Sequence, residues 1–307
     1  MSRSRNFPSP QPLPVNGERE SSQHEKVRAV PQFSFRQVDV FTATPLKGNP
    51  LAVVRDADGI PDATMAAFGN WTNLSETTFL LKPTHPDADY RVRIFTPERE
   101  LPFAGHPTLG SCHVWLSSGG KPKTDYVVQE CGAGLIRIRR DGDRLAFAAP
   151  PLKRSGAVDE ASLVTIAKGL GIPRAAIKGA QWADNGPGWV AILLGSRAEV
   201  LALKPDYQSL LEFRIGVVGP WSAADGNEAQ FEVRALIPPR STEDPVTGSL
   251  NAGVAQWLIG AGIAPDRYIA SQGTVLGRAG RVYVERAGDD IWVGGQTVTC
   301  IEGKVEL

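Results

Sequence analysis

The chain has 307 residues, 42% of them hydrophobic, enough to bury the core of one large domain or two modest ones. Lysine plus arginine and aspartate plus glutamate balance at 33 each, so no overall field favours nucleic acid or an anionic membrane. Three scattered cysteines (Cys112, Cys131, Cys300) make neither a disulfide framework nor the close pairs of a zinc site, which points to a reducing compartment, the cytoplasm.

Residues 1–32, rich in proline, serine and charge, lack the apolar stretch of a secretory signal and predict a disordered tail. From Phe33 the texture changes. "FSFRQVDVF" alternates as a strand, and "TPLKGNPLAVV" turns on Gly48-Asn49-Pro50 into a second strand. "DATMAAFGNWT" has helical spacing with Asp62 as its cap, and "SETTFLL" and "YRVRIFTP" are strands. A helix follows from Pro107 to about Ser118, closed by Gly119-Gly120; proline is tolerated at a first helical position because that N–H has no intrahelical partner. "DYVVQE", "LIRIRR" and "RLAFAAP" are strands, with "CGAG" (Cys131 to Gly134) a hairpin turn between the first two. Beyond Pro150-Pro151 come a helix near "DEASLVTIAKGLGI", strands at "GWVAILL" and "FEVRALI", a helix after Gly248, and strands at "RVYVER", "DIWVGGQTVTC" and "GKVEL". Strands and helices mixed without regular βαβ alternation predict an α+β fold with mostly antiparallel sheet. No apolar run reaches the roughly 18 residues of a membrane span.

"FAGHPTLGSCHVWL" and "DPVTGSLNAGVAQWL" resemble one another: Gly105, Gly110 and Trp115-Leu116 correspond to Gly248, Gly253 and Trp257-Leu258. The correspondence predicts an internal duplication, two related halves facing each other across a cleft. Two helices starting there would aim unpaired N–H groups and positive dipole ends at one space, a site for a substrate carboxylate. The acid/base candidates are His106 and Asp244 at the equivalent turns, and Glu76, whose position between a polar turn and an apolar strand would raise its pKa. Each also has a plainer reading: Glu76 as a solvated strand start, His106 as a helix cap, Asp244 as a turn former before Pro245, and Ser249 as a cap or buried hydroxyl. Neither nucleotide-binding glycine loop is present, and His24, His85 and His113 make no metal pattern.

The segments "DVFTATPLKGNPLAVV", "NLSETTFLL", "RIFTPERELPFAGHPTLG", "NGPGWVAILLG", "EDPVTGSLNAG" and "QGTVLGRAGRVYV" resemble, in order, the phenazine-biosynthesis isomerase (PhzF-like) family, relatives of diaminopimelate epimerase. The resemblance implies two similar lobes, each a curled, mostly antiparallel sheet around a central helix: residues 33–150 completed by about 295–307, and residues 151–294. It implies a homodimer and no cofactor, beside the small carboxylate-bearing substrate that the helix starts call for and the absence of a metal that the histidine placement predicts. Glu76 matches the proton-shuttling glutamate, His106 and Asp244 its polar partners, and Ser75, Gly105, Gly248 and Ser249 the substrate-holding positions. Ala104 and Asp244-Pro245 stand near the places where the epimerase relatives carry catalytic cysteines, so a two-thiol epimerisation is not available. The expected activity is a cofactor-independent isomerisation of a cyclic compound like trans-2,3-dihydro-3-hydroxyanthranilate. The alternatives are an amino-acid epimerase or racemase with non-thiol bases, and a non-catalytic binding relative.

Overall fold

The alternation that starts at Phe33 forms β1 (Gln32–Val40) in the computed structural model, which describes residues 30–307. The tail expected over residues 1–32 lies almost wholly outside the described residues. β2 (Asn49–Arg55), α1 (Asp62–Thr72), β3 (Thr77–Leu81) and β4 (Tyr90–Phe95) follow as the sequence pattern indicates. After the two-residue β5 (Glu100–Leu101) come α2 (Gly105–Ser117), β6 (Val127–Cys131), β7 (Gly134–Asp141) and β8 (Arg144–Ala148). β1, β2, β3, β4, β6, β7, β8 and the C-terminal strand β17 (Asp290–Glu306) pair in that order, and β17 returns to β1. This closed ring encloses α2, whose first eight residues are all buried; closure leaves the ring no bare edge.

The second half repeats the wiring. It comprises β9 (Arg154–Ala157), α3 (Glu160–Leu170), β10 (Gly179–Asp184), β11 (Trp189–Leu193), α4 (Arg197–Ala202), β12 (Arg214–Pro220), β13 (Phe231–Ile237), β14 (Thr242–Asp244), α5 (Gly248–Gly260), β15 (Arg267–Gln272) and β16 (Gly280–Ala287). β2 and β3 pair in parallel across α1, and β11 and β12 do so across α4. β4 forms a hairpin with β5 and a parallel pair with β6 across α2; β13 does the same with β14 and β15 across α5. The remaining strand pairs are antiparallel, giving the expected α+β fold of two similar lobes, each a sheet curled about a helix. One core runs through both, joining Val40 and Leu109 to Leu250, Val254 and Val293.

Several local expectations need correction. Asp62 is the first residue of α1 and not its cap, which is Pro61; its carboxylate pairs with Arg93 at 2.6 Å. α2 begins at Gly105, so Pro107 is its third residue, still among the first four N–H positions that need no intrahelical acceptor. "DIWVGGQTVTC" and "GKVEL" are one strand of 17 residues, because Gly303 continues the ladder opposite Phe35. β9, β10, β12, β14, β15 and α4 carry no pattern strong enough to be read from sequence.

Candidate active site

α2 and α5 begin against each other. A Cβ built on Gly105 would lie 3.2 Å from the Gly248 Cα and 2.7 Å from the Phe147 ring, so only glycine permits this approach. The residues before them, Ala104 and Thr247, are extended and neither caps its helix with a side chain. Two sets of orphan backbone N–H groups therefore open at one place, with the positive ends of both helix dipoles.

Three titratable side chains from distant parts of the chain meet there. Glu76 sits on the turn entering β3, and its Oε2 lies 3.4 Å from Nε2 of His106, the second residue of α2. Both atoms are buried and neither has a hydrogen-bond partner, an arrangement that leaves their capacity for a ligand. Asp244 ends β14 on the other lobe; the adjacent Glu243 pairs with buried Arg234 at 2.8 Å and pins that strand. Asn49, fully buried at the start of β2, joins the lobes: its Nδ2 donates to Asp244 Oδ1 (3.0 Å) and to the Val246 carbonyl (2.9 Å). The same amide nitrogen lies 3.4 Å from His106 Nδ1. The two hydrogens of that NH2 go to Asp244 and Val246, and a nitrogen without a free lone pair beside Nδ1 disfavours a proton there, which favours the tautomer with its proton on Nε2, toward Glu76. Thr247 also donates to Asp244, and Gln272 holds Thr247 through its backbone N–H and hydroxyl, both at 3.0 Å.

Burial governs the ionisation of all three groups. Desolvation, assisted by the Asp244 charge, pushes the Glu76 carboxyl up to about 8, with Arg240 pulling the other way. Desolvation lifts Asp244 to about 6 against the hydrogen bonds from Thr247 and Asn49. It also lowers His106 to about 3, so the imidazole is neutral at neutral pH. The site thus presents a protonatable carboxyl, a neutral imidazole and two helix N-termini, a set suited to moving a proton on an anionic small molecule.

The other expected positions are close by. Ser75 is half-buried in the turn beside Glu76. Ser249 is the second residue of α5; its hydroxyl accepts from Trp189 Nε1 at 3.0 Å, leaving its own proton free to donate. His106 is not a cap, and its ring faces Asn49 and Glu76 instead. No cysteine stands at either helix start. Cys112 is buried within α2, with its thiol pushed up by desolvation, and "CGAG" is the hairpin turn joining β6 to β7. Among the described residues no group of three or more His, Cys, Asp or Glu side chains is placed to hold a metal ion, and no helix is long and apolar enough to cross a membrane. Sequence reasoning missed Asn49, Thr247, Gln272 and Arg240. Asn49 was legible only as a turn breaker between Gly48 and Pro50.

A family model described as phenazine biosynthesis-like protein matches residues 38–303. The chain is similar to antisense-enhancing sequence 1 of Schizosaccharomyces pombe, 38% identical over 292 residues that cover 89% of this chain and 98% of the relative. It is similar to the trans-2,3-dihydro-3-hydroxyanthranilate isomerase of Pseudomonas aeruginosa, 31% identical over 275 residues, 86% of this chain and 92% of the relative. A solved PhzF-family phenazine biosynthesis protein from Enterococcus faecalis shares the fold with a TM-score of 0.75 at 24% identity, over 90% of this chain and 100% of that one. With a family match spanning both lobes and named isomerases among its relatives, the chain belongs to the PhzC-PhzF family, and its enzyme class is isomerase.

Proposed function

We propose that this isomerase moves a proton between two carbons of a small, cyclic, carboxylate-bearing substrate, with Glu76 as both general base and general acid. The observation that carries the reading is the Glu76 carboxyl itself: half-buried, with Oε2 enclosed and unpartnered, and set beside two uncapped helix starts. Ionised Glu76 takes a proton from carbon, and the C–H electron pair enters the adjacent π system. The N–H groups at Gly105 and Gly248 stabilise the negative charge, and the Nε2–H of His106 and the Ser249 hydroxyl donate to substrate oxygens. Glu76 then returns the proton to another carbon on the same face. The double bonds shift, composition is unchanged and no co-reactant is consumed. Asp244, anchored by Asn49 and Thr247, orients a polar substituent of the ring. The resemblance adds a homodimer working without a cofactor, in lobes divided near residues 150 and 294.

The substrate named for the Pseudomonas relative, trans-2,3-dihydro-3-hydroxyanthranilate, is the compound to test first. In deuterated water the wild type is expected to release product labelled at the new C–H position in those turnovers where the Glu76 proton exchanges with solvent before its return, whereas Glu76→Gln loses both turnover and label. Native rate and label uptake in Glu76→Gln would overturn the mechanism. A second reading, epimerisation, draws on Asp244 as a second raised carboxylate. Chiral chromatography separates the two, because epimerisation inverts one centre and leaves the double bonds in place.

A further inference from the structure

Each active carboxylate is flanked by a loop, and the two loops are tied to each other. Thr77 pairs with Phe95, so the loop that begins at Thr96 leaves the sheet beside Glu76. In that loop the Thr96 hydroxyl donates to Glu98 Oε2 at 3.1 Å. On the other lobe Ile237 pairs with Thr242 and Ala235 with Asp244, so residues 238–241 form the hairpin tip next to Asp244. Two prolines stiffen this tip and Ser241 takes a left-handed backbone at φ 49°, a conformation a non-glycine residue adopts at some cost. The tip presents Arg240, which pairs with Glu98 across the lobes.

Stability does not account for this pair. Its side chains are 40% and 59% exposed, and open ion pairs of this kind contribute little. The hairpin pairing sets Arg240 at the tip beside Asp244, and in keeping with that placement its charge opposes the raised pKa of both Glu76 and Asp244. The helix starts serve one carboxylate. A guanidinium at the rim offers a planar fork for another.

We propose that Arg240 is a specificity-determining residue of this cleft, receiving a second acidic group of the substrate, remote from the reacting carbons, which displaces the Glu98 carboxylate. The favoured substrate class is thereby cyclic compounds with two acidic groups, of which the one-carboxylate compound named for the Pseudomonas relative is a weaker-binding analogue. This rests on the proton-shuttle reading for the location of the cleft.

Calorimetric binding at one pH compares 2-aminobenzoate, with one carboxylate, to 2-aminoterephthalate and 5-aminoisophthalate, with two. The wild type is expected to bind at least one dicarboxylate about tenfold more tightly than 2-aminobenzoate, the size expected of a charge-assisted fork. Arg240→Gln removes that preference while leaving 2-aminobenzoate affinity within about twofold, and Arg240→Lys keeps part of it. Glu98→Gln, which removes the competing carboxylate, tightens dicarboxylate binding. Failure of both dicarboxylates to bind, a preference that survives Arg240→Gln, or weaker dicarboxylate binding in Glu98→Gln overturns the proposal. The preference persists in Glu76→Gln, so loss of the proton-shuttle mechanism and loss of this assignment read out separately. Thermal melts of each variant, expected to match the wild type at these exposed positions, show that the fold is intact.

Discussion

With its carboxyl raised to about 8, Glu76 holds a proton through most of the neutral range, and acting as a base requires that proton to leave first. The expected kcat/KM therefore climbs with pH, bends near pH 8 and flattens above it. Rates measured from pH 6 to 9.5 check this, and a profile falling over that range contradicts it. The same displacement makes a stability statement. The unfolded chain releases this proton near the ordinary carboxylate value of 4.5, while the folded protein keeps it to about 8, so Glu76 lowers folded stability progressively as pH rises across that window. Glu76→Gln cannot ionise. Its melting temperature should exceed the wild type's by a margin that is absent below pH 4, grows through pH 6 and is largest above 8. Glu76, His106 and Asp244 could be named from the sequence because each sits in a short motif with a turn beside it. Asn49 could not be given its role. Its partner Asp244 lies 195 positions away, and no local pattern announces a hydrogen bond made by tertiary folding.

Glycine at a helix end means different things at its two ends. Gly105→Ala would drive a methyl into the buried Phe147 ring and against Gly248, and is expected to cost about 1–3 kcal/mol and to push the helix starts apart. At the far end of α5, Gly260 has nothing within 4 Å of a built Cβ. Gly260→Ala should be neutral or stabilising by up to about 1 kcal/mol, through helix propensity alone. Urea titrations of the two variants, with turnover measured alongside, separate crowding at the site from a general effect of losing glycine. The matched glycine spacing made both helices legible, together with the meeting of their starts. The short strands were not legible in the same way. β14 is three residues long and exists because Asp244 and Thr242 find ladder partners on β13, a property of the neighbour and not of "TED" itself. β12 and β15 likewise owe their state to partners on both sides, a parallel one reached by a crossover through a helix and an antiparallel one that follows in the chain.

For the molecule as a whole, the repeated wiring makes two lobes, yet they are not two independent stabilities. β17 runs through both sheets, pairing with β16 and β8 in its first part and with β1 in its second, and a single apolar cluster continues across the join. Urea unfolding followed by tryptophan fluorescence and by far-UV circular dichroism is expected to give one shared midpoint; two separated midpoints would mean the lobes unfold singly. The α+β class was readable from irregular alternation of elements, whereas completion of the first lobe by the C-terminal strand came from the family resemblance alone, because no local pattern announces a pairing so distant in sequence. That strand sets an order of events during synthesis. Arg36 and Glu302 face each other across β1 and β17, 266 positions apart in the chain. While the ribosome adds those positions, β1 has only β2 to hold and its other side stays open to any stray strand. The ring around α2 therefore remains unsealed until β17 has been translated, a non-local pairing of the kind that forms late.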